Sequence, residues 1–133
     1  MKKFLISSIF ISSIAFSSEN YELKLYEKIF PILFKTDKLI VYADNSSKRI
    51  FRDSNIFTLT SNCEESTLII GKDFEKICEN KPIFTTSYRN FENLDNSFGV
   101  FYWRNGVPKI RFNLFNVKKF NLFLPQGLKK YAK

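Results

Sequence analysis

Two cysteines, Cys63 and Cys78, are the most reactive side chains in this 133-residue sequence, and no histidine accompanies them. Without histidine there is no Ser-His or Cys-His nucleophile pair, no imidazole metal ligand and no side chain with an unshifted pKa near neutrality. The cysteines are not spaced Cys-x-x-Cys, which argues against thioredoxin-like exchange. Ser46-Ser47-Lys48 lacks the Ser-x-x-Lys spacing of penicillin-binding enzymes. The four glycines are isolated, so no phosphate-cradling loop is written into the chain. Glu64-Glu65 and Asp95 are the only carboxylates with a glycosidase-like claim, and adjacent glutamates more often form a solvated turn. These absences favour a non-enzyme that needs no cofactor and no metal.

What remains is binding chemistry. Sixteen Phe and six Tyr stand against one Trp and one Met. Most of these rings must form the core, and any left exposed would mark a contact surface. Tyr102, Trp103 and Arg104 are consecutive just before Asn105-Gly106. They are the residue types that most often anchor protein interfaces. In a strand Phe101 and Trp103 share one face, while Tyr102 and Arg104 share the other. Tyr102 or Trp103, with Arg104, is therefore the expected partner contact. The alternative is that Trp103 simply closes the core.

The elements that must carry these residues are legible in outline. Residues 19–34 have helical spacing at Leu23, Tyr26, Phe30 and Leu33, with Pro31 expected to kink or restart the helix. KLIVYA (38–43), ended by Asp44-Asn45, reads as a buried strand and a turn. Ser46 or Ser47 is expected to cap a short helix carrying Ile50 and Phe51. Residues 56–60, 67–70 and 82–87 read as further strands, and residues 73–78 as a short helix behind Gly71. Residues 91–98 read as loop with at most one helical turn. Residues 99–103 and 109–113 flank Asn105-Gly106, a strong hairpin signal because both residues tolerate positive φ. Residues 114–120 and 125–131 read as two short helices. This order predicts an α/β single-domain sandwich: a mostly parallel sheet, an antiparallel hairpin edge and flanking short helices.

The N-terminus decides the compartment. Lys2 and Lys3 precede an uncharged stretch, residues 4–16, and Ala15-Phe16-Ser17 offers small residues at −3 and −1 of a cleavage site. This reads as a cleavable secretory signal peptide over residues 1–17. The apolar stretch is too short to span a bilayer, which takes roughly 20 residues. The alternatives are a buried N-terminal helix or an uncleaved anchor. No cysteine sits near the cleavage site to be acylated. Removing 17 of 133 residues leaves 116, one domain over 18–133, and takes away two of the lysines, so that +8 becomes +6. For an exported chain that charge implies solubility and weak attraction to anionic envelope surfaces rather than nucleic acid binding. An oxidising compartment also points to one Cys63–Cys78 disulfide. A strand followed by a returning helix brings the two cysteines near each other, and the bond would stabilise by about 3 kcal/mol. The alternative is two buried free thiols.

The second half of the chain, from Cys63 to Ala132, resembles the YfiR-like family of periplasmic proteins. Asn62-Cys63-Glu64 before Thr67-Leu68-Ile69-Ile70 resembles that family's cysteine-bearing turn and apolar strand. Lys81-Pro82-Ile83-Phe84-Thr85-Thr86 resembles its Lys-Pro strand. Phe98-Gly99-Val100-Phe101 and Ile110-Arg111-Phe112-Asn113 resemble its glycine-bearing strand and the strand that follows. Residues 117–124 and 128–132 resemble its final Leu-rich helices. The family's Tyr-x-Lys-Ala segment is not evident in residues 21–34, and cysteines beyond two are missing. The resemblance implies a periplasmic, non-catalytic regulator that binds the periplasmic sensor domain of a membrane-bound signalling protein such as a diguanylate cyclase. The rival expectation is a small-solute-binding accessory protein of a transport system. Its ligand would sit at the carboxyl ends of the parallel strands, near Asp44-Asn45 and Ser87-Tyr88.

Overall fold

The computed structural model describes residues 18–74 and 78–133. The expected signal peptide, residues 1–17, lies outside them, as do residues 75–77 of the short helix expected over 73–78. Helix α1 (Ser18–Phe34) leads into strand β1 (Leu39–Ala43), a 3-10 turn (Lys48–Phe51) and β2 (Phe57–Leu59). A second 3-10 turn (Cys63–Glu65) precedes β3 (Leu68–Gly71) and β4 (Ile83–Thr85). Helix α2 (Tyr88–Asn93), β5 (Ser97–Arg104), β6 (Val107–Phe112), α3 (Leu114–Lys119) and a 3-10 turn (Gln126–Tyr131) complete the chain. The strands form one six-stranded sheet in the order β2-β1-β3-β4-β5-β6. Every pairing is parallel except β5 with β6, which is the predicted antiparallel edge. Asn105 and Gly106 both take positive φ, 53° and 77°, as a two-residue hairpin turn demands.

The aromatic wealth is spent on one face of the sheet. Tyr26, Phe30 and Leu33 of α1 are fully buried against Val41, Ile70, Phe84, Phe98 and Phe101. Phe30 lies 5.0 Å from both Tyr26, stacked, and Phe84, edge-on. Such ring pairs add about 0.5–1.5 kcal/mol each beyond their buried area. Pro31 sits inside α1 without ending it. The buried Tyr26 hydroxyl donates to Glu22 Oε2 at 2.7 Å, one helical turn back. Burial, with the Glu22 charge beside it, holds that phenol well above its usual pKa. The opposite face carries a smaller cluster of Ile69, Ile83, Cys63 and Cys78, with Tyr42, Phe74 and Leu94 around it.

One irregularity builds the large core. Between Ile83 and Phe84 the register shifts: Ile83 faces Ser97, but Phe84 faces Gly99. Phe98 is the extra residue, turned into the core beside Phe84 with ring centroids 5.6 Å apart. Gly99 is required there because a Cβ would lie 2.7 Å from the Phe84 ring.

Several local expectations are corrected. Ser47 stands at the N-cap of the first 3-10 turn but its side chain makes no capping bond to the turn; the Asp44 carboxylate takes its backbone N–H instead. Residues 88–93 are a helix, started by Ser87, whose hydroxyl accepts from Asn90 N–H, and residues 97–98 belong to β5. The segment near residue 125 is a 3-10 turn rather than an α-helix, consistent with the weak helix propensity of its Gly127.

Candidate binding surface

The crevice that strand order favours for ligands lies between β1 and β3, whose connections leave toward opposite sides of the sheet. Its amide donors are already occupied. Asp44, at the end of β1, is 6% exposed. Its Oδ2 accepts from the backbone N–H of Lys72 (2.9 Å) and Asp73 (3.0 Å), and its Oδ1 from that of Ser47 (3.1 Å). These amides form the kind of nest that holds a phosphate elsewhere. Burial alone would raise the Asp44 pKa, but hydrogen bonds from Lys72, Ser47 and Asp73 outweigh it and hold the group below its ordinary value. Gly71 (φ 138°) leaves room for the carboxylate, since a Cβ there would lie 2.4 Å from it. The other expected ligand position is also engaged internally: Ser87 caps α2, and the Tyr88 ring packs 5.2 Å from Tyr102.

Cys63 and Cys78 are joined as a disulfide, with Cα atoms 6.0 Å apart, under the smaller core. Glu64 comes within 4.8 Å of both sulfurs, but a disulfide has no thiolate to give a metal. Glu64 and Asp95 line different hollows, the first beside the cystine and the second beside Ile83 and Lys119.

The hairpin residues divide by face as the strand period requires. Tyr102 is half-buried on the α2 side, against Tyr88. Trp103 is on the α1 side and remains 43% exposed, although its ring contacts Phe101 (5.7 Å) and Tyr21 (5.9 Å). Trp103 thus extends the core outward along β5 and presents its far side to solvent. Arg104 is exposed at the turn. Trp103 and Tyr102 therefore cannot serve one flat contact; Trp103 adjoins a concave surface through Tyr21, whereas Tyr102 packs on Tyr88 at the rim of a smaller hollow.

That surface is a groove of about 560 Å³ between the first turns of α1, the outer edge of β6 and the last 3-10 turn. Its walls are Tyr21, Leu25, Phe101, Ile110, Leu128 and Tyr131, and its charged residues are Lys109, Arg111 and Lys130. None of its lining residues is acidic. The Lys130 ammonium sits 5.2 Å from the Tyr131 ring, within cation–π range. Phe101, Pro108, Lys109, Ile110 and Arg111 had a place in the sequence reading of the hairpin, but their meeting with Tyr21, Leu25, Leu128 and Tyr131 in a groove went unsuspected. A signal existed. Residues 96–133 hold eight Lys and Arg and no Asp or Glu, whereas residues 18–95 hold eleven basic and thirteen acidic residues, a net of −2 against +8. The cationic third of the chain is the part that folds into the hairpin, its edge strand and the terminal turn.

No family model, curated protein or solved structure matches the chain.

Proposed function

We propose that this chain is an exported, non-catalytic binding protein that docks its hairpin face onto the periplasmic domain of a membrane-bound signalling protein, such as a diguanylate cyclase. The observation that carries the docking is the half-exposed Trp103, standing on Tyr21 beside a concave groove whose charged lining residues are all basic. A large, rigid ring held by neighbours but open to solvent loses little entropy when a partner covers it. The resemblance of residues 63–132 to the YfiR-like family supports the class of partner. The leader-like residues 1–17 and the Cys63–Cys78 bond support an oxidising compartment. Among the described residues no helix is long and apolar enough to cross a membrane. Solute binding in a transport system is disfavoured because Asp44 already occupies the amides of its crevice.

The test is capture from detergent-solubilised envelopes with the wild-type protein and Trp103→Ala as baits. An inner-membrane protein retained stoichiometrically by the first and lost from the second is the expected result. A co-purifying small molecule with no protein partner overturns the reading. Intact mass of the envelope form should begin at Ser18, within a residue or two; a full-length cytoplasmic chain removes the premise of export.

A further inference from the structure

From the chemistry of the groove we infer that the partner's contacting element is an acidic segment carrying an aromatic or aliphatic anchor, held through side chains rather than by strand addition to β6. The inference rests on the docking reading above and specifies its ligand.

The argument begins with the edge strand. Asn113 N–H donates to the Phe98 carbonyl at 2.9 Å. Alternation along an antiparallel pair then turns the backbone groups of Phe112, Ile110 and Pro108 outward. The Phe112 carbonyl already accepts from Lys133 N–H at 3.1 Å, and Pro108 has no N–H. Ile110 alone keeps both a donor and an acceptor on the open side, so an incoming strand finds no ladder to extend. Affinity must come from the groove beside that edge.

The groove is concave, floored by the buried Phe101 and the half-buried Ile110. Its volume of about 560 Å³ lies in the range of sites that enclose one or two large side chains or a small ligand. A bilayer surface has no such projection to offer. Lys109 and Arg111, which pair with Tyr102 and Val100 and so leave β6 on the face away from the floor, line the groove at its strand edge, and Lys130 lines it on the terminal turn; none of the described lining residues is acidic. Each exposed cation contributes little alone, but several of one sign steer and select an anionic partner.

Trp103 is the only tryptophan and touches the groove wall through Tyr21, so its fluorescence reports occupancy. The probes are two synthetic ten-residue peptides with the same central Phe-Leu pair, one flanked by Glu and the other by Gln at the same positions. Titrated at low salt, the Glu peptide should bind roughly tenfold more tightly than the Gln peptide, and the difference should shrink at high salt. Lys109→Glu with Lys130→Glu should remove that advantage and leave the Gln peptide unchanged; Lys109→Gln with Lys130→Gln checks the result if charge reversal disturbs folding. Equal binding of the two peptides overturns the acidic chemistry while leaving the docking surface intact. A Glu peptide that ignores both pairs of variants overturns the location. If neither peptide binds, but Trp103-dependent capture of a membrane protein succeeds, the acidic segment is wrong and the docking reading stands. Binding of vesicles of phosphatidylglycerol, or of an oligo-dT strand, at these lysines without peptide binding would replace the protein segment by that polyanion.

Discussion

Replacing Asp44 with Asn isolates the interaction that closes the carboxyl-end crevice. The side chains have nearly the same shape, but Asn offers one acceptor oxygen where Asp offers two. If the amide oxygen keeps the Ser47 N–H, the new NH2 group faces the Lys72 and Asp73 amides that now bond Oδ2. Two charge-assisted bonds are lost at about 1.5 kcal/mol each, about 3 kcal/mol in all. Because Lys72 and Asp73 are exposed residues, water partly replaces the missing acceptor, and about 2 kcal/mol is the better expectation. For a domain of this size that lowers Tm by about 8 °C. The sign with pH follows from the depressed pKa. The Asp44 contribution is present above the ordinary aspartate value of 3.8 and is lost as pH falls through the lower folded value. Asp44→Asn should flatten that acid limb of the stability curve and leave the neutral limb parallel to wild type. A second variant, Asp44→Gly, removes the plug altogether. Added phosphate should then raise Tm of this variant and not of wild type, since three backbone N–H groups are left open. Urea and thermal melts followed by Trp103 fluorescence and circular dichroism measure all of this. A loss below 0.5 kcal/mol in Asp44→Asn, or phosphate stabilising wild type equally, would refute the closed-crevice argument.

Three further outcomes are expected. Trp103→Ala should cost at most about 2 kcal/mol in denaturant melts, because nearly half of the ring is already in water, while partner binding weakens about 30-fold or more by titration; a loss of 4 kcal/mol with binding unchanged would make it a core residue only. Cys63→Ser with Cys78→Ser, which opens a loop of 15 residues' separation, should lower stability by about 3 kcal/mol, and alkylation of the wild-type protein before and after reduction should find no thiols and then two. Gly99→Ala should cost about 1–3 kcal/mol by equilibrium unfolding, since its Cβ would press on the fully buried Phe84 ring; a neutral result would mean the register shift at Phe98 does not hold the two strands as tightly as their packing requires.

Several features were legible from the chain alone because their causes are local. α1 follows from the spacing of Tyr26, Phe30 and Leu33. The β5–β6 hairpin follows from Asn105-Gly106, whose positive φ angles few other pairs accept. Apolar runs such as LIIG and IFT read as central parallel strands because both sheet faces are covered there and no polar alternation survives. The cysteine pairing needed only their number and an expected oxidising compartment, since two cysteines have one partner each. The division of Trp103 from Tyr102 follows from the two-residue period of a strand.

Other features belong to tertiary structure alone. The start of α2 at Tyr88 was hidden because its sequence is polar and its cap, Ser87, stands at the end of an expected strand. Asp44 looked like a turn residue; its role as an internal anion appears only when the loop after β3 brings Lys72 and Asp73 to it, 28 and 29 residues away. The extra residue at Phe98 is a compromise between strand pairing and ring packing, and no window of β5 alone contains Phe84. The groove joins Tyr21, Ile110 and Tyr131 from the two ends of the described chain. Periodicity tells which way each side chain faces along its own element, but which elements lie side by side is set by long-range burial and strand order, and a concave surface exists only once those are settled.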